Sequence, residues 1–414
     1  MRQMRLRTVG LLLLVLAGLT GCDAPIAYYS LDPLYLDKSI KAEDADVSFE
    51  QTEDITTALT AFFGTPDEPF IPRGGELENV VDADSLAMAA GPVGSDEFGR
   101  GRGLYREHCV HCHGINGDGK GPTAPFLNPY PRDYRRGVFK FKSTPRGSRP
   151  THADLKKTLI NGVAGTSMPS FSLLSDTEVE TLVNYVKYLS IRGEVERALI
   201  EYTTVELDEE TRLFEPDKLA ESSEFFLEEI IGEVVSKWTA AEDEITEVPP
   251  RPEMNNEQML ASIKRGKNLF YGSVANCVKC HGESQLGDGQ VDDYDDWIKD
   301  YADKWVKAAP EEKDAVWAEI AALDPKALEP RNIIPRNLRS GVYRGGRRPV
   351  DLYWRIHNGI DGGPMPAAMM RQDGSSIGLT SDDLWDIVNY VQSLPYELMS
   401  TTGDDEPVYS RPRM

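Results

Sequence analysis

The sequence predicts an all-α protein made of two small helical domains in tandem, with an acidic linker between them and a helical insertion in the second. Three observations predict it. One series of landmarks occurs twice in the same order. The segment closing each series carries apolar residues at helical spacing. The length of 414 residues and 40% hydrophobic content suit two or three ordinary cores.

The repeat is the strongest of the three. Gly101-Arg102-Gly103-Leu104-Tyr105 precedes Cys109-Val110-His111-Cys112-His113-Gly114, and Gly266-Lys267-Asn268-Leu269-Phe270 precedes Cys277-Val278-Lys279-Cys280-His281-Gly282. Pro131-Arg132 through Val138-Phe139 answers Pro335-Arg336 through Val342-Tyr343. Asn161-Gly162 with Met168-Pro169 answers Asn358-Gly359 with Met365-Pro366, and Val183-Asn184-Tyr185-Val186 answers Val388-Asn389-Tyr390-Val391. The offset is 168 residues at the cysteines and 204 at Pro-Arg, so the second copy holds about 36 extra residues between them.

The elements follow in chain order. Arg2, Arg5 and Arg7 precede an apolar run from Val9 to Leu19, the layout of a signal peptide over residues 1–21. As a helix that run rises only about 16 Å, too short for a bilayer core of about 30 Å. Leu19-Thr20-Gly21-Cys22 resembles a bacterial lipobox, which implies cleavage before Cys22 and acylation of that cysteine. Asp23 resembles a signal for retention in the inner membrane. Residues 22–97 read as an anchor, a tether and a partly ordered lead-in, with one helix near Ile55–Phe63.

The first domain spans 98–196. A helix from Thr177 to Leu189 closes it, capped at Ser175 or Asp176 and presenting Leu182, Tyr185, Val186 and Leu189 on one face. Gly101 and Gly266 are expected to let helices cross closely, with Tyr105 or Phe270 at the crossing. Residues 197–257 read as a linker; 201–250 hold 16 acidic and 3 basic side chains, with Phe225 to Trp238 as a short amphipathic helix. The second domain spans 258–398 and closes with a helix from Ser381 to Leu394, which presents Leu384, Ile387, Val388 and Val391. Trp297, Tyr301 and Trp305 at four-residue steps, then Pro310, predict a helical hairpin in an insertion at about 284–330, packed on that domain. Residues 399–414 are a tail.

Composition excludes several classes. A net charge of −23 argues against a nucleic-acid partner. The single long apolar run rules out a polytopic membrane protein. Five cysteines are too few for a disulfide scaffold.

Four of those cysteines form two CxxCH motifs, the attachment pattern of c-type haem. Two thiols three positions apart reach the two vinyl groups of one porphyrin, and the next histidine meets the iron. Cys109, Cys112 and His113 would hold one haem, and Cys277, Cys280 and His281 a second. The rivals are a zinc site, a disulfide and a thioredoxin-like pair. A zinc site lacks a nearby fourth ligand, and a disulfide leaves both histidines and the repeat unexplained. Met168 and Met365 occupy equivalent Gly/Pro-rich loops and are the candidate sixth ligands, with Met369 and Met370 as neighbours of the second. His108, His111, His152 and His357 have no counterparts in the repeat and read as surface or capping residues. Arg132 and Arg336 head two basic stretches, 131–149 and 331–348, and are candidates to pair with haem propionates.

Together these residues resemble class I cytochromes c fused in tandem, over about 98–192 and 258–397. In that family the carbonyl of a proline after the first haem helix accepts a hydrogen bond from the proximal histidine. Gly121-Pro122 matches that pattern for His113, whereas Gln290-Val291 stands at the equivalent place in the second copy. The lipobox with two His/Met domains is similar to membrane-anchored dihaem cytochromes of bacterial respiratory chains. That resemblance implies single-electron transfer between a quinol-oxidising complex or dehydrogenase and a terminal oxidase. Two other roles fit the same motifs: a haem-bearing subunit of a larger complex, and a dihaem enzyme such as a peroxidase or sulfur-compound oxidase.

Overall fold

The computed structural model describes residues 27–397 apart from 74, 96–98, 100, 216 and 217. The signal segment, Cys22 and the tail 399–414 lie outside the described residues. The described chain is helical, with one two-stranded pair, β1 (Gly94–Ser95) and β2 (Gly101–Arg102).

In chain order the helices are α1 (Pro33–Glu43), α2 (Phe49–Phe63), α3 (Ala83–Ala89), α4 (Leu104–His108), α5 (Val110–His113), α6 (His152–Asn161) and α7 (Asp176–Glu206). Then come α8 (Leu219–Phe225), a π-helical stretch (Phe226–Gly232) and α9 (Glu233–Ala240). The second copy holds α10 (Asn256–Tyr271), α11 (Val278–His281), α12 (Asp296–Lys307), α13 (Lys313–Leu323), α14 (Pro349–Asn358) and α15 (Ser381–Ser393).

The first domain is larger than its motifs. Its closing helix, α7, runs for 31 residues rather than ending at Leu189. Ser175 caps it in a capping box with Glu178, and no proline interrupts the turns beyond Leu189. Gly193 within it lets the Arg135 segment pack close, since a side chain there would meet Arg135. α1, α2, α3, α4, α6 and α9 all pack against this one rod. The lead-in is therefore not a tether. Ile55, Leu59, Phe63, Leu77 and Leu86 are all buried in the first core. Each such burial is worth about 1.5–3 kcal/mol, comparable to the cost of ordering the residue that makes it.

The acidic stretch is no linker either. Phe226, Ile231, Val234 and Trp238 join the same core, and Trp238 Nε1 donates to Glu194 at 2.9 Å. Its carboxylates lie along the outer faces of helices whose inner faces are apolar.

The second domain is smaller and rests on the crossing of α10 and α15. Gly266 makes that crossing possible: a Cβ there would lie 2.0 Å from the Asp386 carbonyl oxygen. Phe270 and Tyr390 meet at 5.4 Å between centroids, as Tyr105 and Tyr185 do at 4.9 Å in the first domain. Gly101 plays no such part. It is exposed in β2, and α4 starts only at Leu104.

The insertion is a helical hairpin as its aromatic spacing predicts, but it packs on the first domain. Trp297, Ile298, Val316 and Ile320 form a third cluster with Leu34, Ala124 and Tyr130. Charge explains the preference. The junction matches cations of the first 200 residues to carboxylates of the second copy: Lys120–Asp324 (2.5 Å), Lys142–Asp361 (2.8 Å), Arg146–Asp296 (3.0 Å), Arg197–Asp300 (3.1 Å), Lys140–Asp295 and Lys157–Asp351.

This junction gives a pH dependence. Burial raises the pKa of Asp351, Asp361, Asp324 and Asp300, but their Lys and Arg partners outweigh it and hold each below 3.8. A carboxylate depressed in the folded state contributes stability that is complete above its unfolded pKa and lost as pH falls through the folded one. The junction is expected to hold at neutral pH and to open only below about pH 4. Tryptophan fluorescence during acid titration reads this through Trp297; opening between pH 5 and 7 would contradict it.

Candidate haem sites

The first site is built on one helical turn. Cys109 ends α4 and starts α5, and the His113 amide donates to its carbonyl at 2.9 Å. Tyr105 pins the turn by donating its hydroxyl to the Gly114 carbonyl at 2.9 Å. The loop after it is tight. Gly119 N donates to His113 O at 2.9 Å, and Gly121 N to Cys112 O at 3.1 Å. Gly119 has φ +72°, and a Cβ there would lie 2.7 Å from the Pro131 carbonyl. The close approach brings Pro131–Tyr134 against the histidine. Tyr134 stacks on His113 at 4.6 Å.

The acceptor for His113 differs from the expectation placed on Pro122. Nδ1 of His113 lies 3.1 Å from the Arg132 carbonyl, and Pro122 is exposed. The reason is local: Gly121 turns inward to Cys112, and the Pro131 segment fills the space beneath the ring. A carbonyl only accepts, so Nδ1 carries the proton and Nε2 keeps its lone pair for a metal. Burial lowers the His113 pKa to about 4, which favours that neutral form.

The second site repeats much of the first one's backbone frame. His281 N donates to Cys277 O (2.9 Å), Gly287 N to His281 O (3.0 Å), and Leu338 N to Gln285 O (2.9 Å), as Tyr134 N does to Gly117 O (2.7 Å). Burial lowers the His281 pKa too. The Arg336 carbonyl faces that ring and favours its protonated form, but the geometry misses a hydrogen bond. His281 Nδ1 is left buried without a partner.

The methionine loops also match. Val163 N donates to Met168 O at 3.1 Å and Ile360 N to Met365 O at 3.0 Å; Phe171 N bonds Leu159 O as Ala368 N bonds Ile356 O. This register pairs Met365 with Met168. Met369 is half exposed, and Met370 forms a bridge with Leu379.

His113 and Met168 line one cavity of about 450 Å³, with both cysteines, Tyr134, Phe139 and Phe171 on its walls. That volume lies in the usual cofactor range of roughly 300–1,000 Å³. The donor set fits c-type haem. The four CxxCH cysteines are unbridged. Burial pushes the Cys109 thiol up to about 12 and Cys277 up to about 11, opposite to the low values of redox-active thiols. Among the described residues no three His, Cys, Asp or Glu side chains converge as a metal cluster.

Of the other histidines, His152 and His357 lie away from this cavity and His108 and His111 line it. His152 pairs with Glu180 and His357 with Asn358; His111 is exposed on the cavity rim, and His108 meets Phe171 edge to face at 6.0 Å.

Arg132 lines the first cavity, and its guanidinium makes no hydrogen bond or ion pair among the described residues. It reaches the methionine loop of the other domain, 3.1 Å from where a Gly362 Cβ would lie. Arg336 does the reverse, 2.8 Å from that position on Gly165. Equivalent arginines against equivalent glycines relate the domains by a local two-fold. Sequence reasoning missed much of the wall, including Lys140, and Asp295, Trp297 and Arg344 from the second copy. The signal was the basic run 131–149 facing the aspartates around 292–300, charge complements more than 140 residues apart.

Comparison with known proteins agrees. A family model described as cytochrome c matches residues 98–190 and again 263–395, together more than half of the chain. The chain belongs to the cytochrome c family, whose domains imply covalently bound c-type haem. No curated protein matches the chain. Among solved structures it is similar to the Kuenenia stuttgartiensis reducing HAO-like protein complex, at 23% identity over 73% of this chain and 98% of that one, with a TM-score of 0.45.

Proposed function

We propose that this chain binds two c-type haems and transfers single electrons between respiratory redox partners. The observation that carries the reading is the cavity with His113 and Met168 on its walls, and its hydrogen-bonded counterpart around His281 and Met365. Bound there, c-type haem supplies a one-electron couple at its iron. The chain does the rest. Cys109 and Cys112, and Cys277 and Cys280, would hold each group by thioethers. The Arg132 carbonyl orients His113, and Tyr134, Phe139 and Phe171 give the cavity an aromatic lining. With His113 and Met168, or His281 and Met365, as its ligands, a haem held there would have a raised reduction potential and no open site for peroxide or oxygen. The rigid, charge-paired junction fixes the distance between the two sites.

The signal segment and Cys22 support an exported lipoprotein held at the outer face of the cytoplasmic membrane. There it would take electrons from a quinol-oxidising complex or dehydrogenase and pass them to a terminal oxidase. Two results test this. The reduced holoprotein is expected to show no spectral change with carbon monoxide, whereas an adduct would favour a dihaem enzyme. Cys22→Ser is expected to release the protein from membranes, and a wild-type chain already found in the soluble fraction would contradict the anchor.

A further inference from the structure

The first cavity is not closed by its own domain. Arg344, Asp295 and Trp297 reach its wall from the second copy and meet Arg132 and Lys140 there. Three of these side chains are cations and one is an anion. The Arg344 guanidinium, like that of Arg132, makes no hydrogen bond or ion pair among the described residues, and Arg344 Nε is buried. Lys140 pairs with Asp295. The other acidic residue on the wall, Glu107, is exposed on α4 beside the cysteines. The cationic corner thus carries an excess of two positive charges, and haem carries two propionate carboxylates.

The cations crowd one another, and Asp295 compensates them only in part. Burial lowers the pKa of Arg132, Lys140 and Arg344, and Lys140 is pushed down further by both arginines to about 8. Buried charges left this way are costly unless a counter-charge arrives. In the repeat Arg344 is the counterpart of Lys140, so its own domain offers it an equivalent place. It lies on the wall of the first domain's cavity.

We propose that the first haem site is completed by the other domain: Arg344, with Arg132 and Lys140, binds the two propionate carboxylates of the haem held by His113. This rests on the reading that haem occupies that cavity. The consequence is electrostatic. A cation beside the propionates disfavours the more positive, oxidised iron, so the second domain raises the first haem's potential.

The test is a potentiometric titration of the two-haem holoprotein. Met168→His marks which wave belongs to the first site, and Met365→His marks the other. Arg344→Gln is expected to lower the wave that Met168→His moves by about 59 mV, a tenfold change for one electron. Arg344→Lys keeps the charge and is expected to keep the potential. Arg347→Gln, at an exposed arginine bonded to Tyr396, is expected to move neither wave. If Arg344→Gln moves the Met365-marked wave, or neither, the inference is overturned and Arg344 serves its own domain or no haem. A wild-type chain without haem on Cys109 and Cys112, seen by peptide mass, overturns the underlying reading and the inference with it.

Discussion

Met168→Ala is expected to convert one of the two haems into a carbon-monoxide-binding, five-coordinate centre while the other stays closed. The long-wavelength charge-transfer band of Met–iron ligation should fall to about half its wild-type intensity. The potential of the affected haem should drop by at least a tenfold change in equilibrium constant, about 59 mV for one electron. The effect is large because the loop offers no substitute. Thr166 and Pro169 share the cavity wall and carry no strong iron ligand. The fold should survive, because Met168 is only partly buried against the first core. Met365→Ala is the matching experiment on the second site. Met370 packs on the second core only a few residues away, so partial rescue there would show that it can swing to the iron. A Met168→Ala protein with an unchanged spectrum would remove this residue from the iron.

The second large effect is mechanical. Gly266→Ala is expected to destabilise the second domain by about 3 kcal/mol, the upper part of the range for overpacking. Its Cβ would lie 2.0 Å from the Asp386 carbonyl oxygen and 2.9 Å from the Tyr390 Cβ. Those are rigid atoms on α15, so the two helices must part. Gly101→Ala, its counterpart in the repeat, meets nothing within 4 Å and should change stability by less than about 0.5 kcal/mol. Denaturant unfolding of the holoprotein reads both; equal effects would contradict the crossing described for α10 and α15.

That pair of glycines shows how far the sequence could be read. The repeat located both CxxCH turns, both methionine loops and both closing helices, because those features are local and recur in register. Leu182, Tyr185, Val186 and Leu189 are buried as their spacing predicts, and so are Leu384, Ile387, Val388 and Val391. What failed was assignment by composition. Residues 22–97 and 201–250 looked like solvated connectors because acidic side chains dominate them, yet Phe63, Leu77, Phe226 and Trp238 are buried in the first core. A helix needs only one apolar stripe to be part of a core, and average charge hides that stripe. The Pro122 expectation failed for a related reason. It transferred a family hydrogen bond by sequence position, whereas the carbonyl that meets His113 is chosen by how closely Gly119 lets the Pro131 segment approach. The docking of the insertion on the first domain was set by paired charges far apart in the chain, which no local pattern displays.

The most direct test of the central claim is the optical spectrum of the purified holoprotein, oxidised and then reduced, with a pyridine haemochrome count. Two haems per chain, a Met–iron charge-transfer band in the oxidised form and no response of the reduced form to carbon monoxide are the predicted results. A single haem per chain, or a high-spin centre that binds carbon monoxide, would contradict a carrier with two closed His/Met sites.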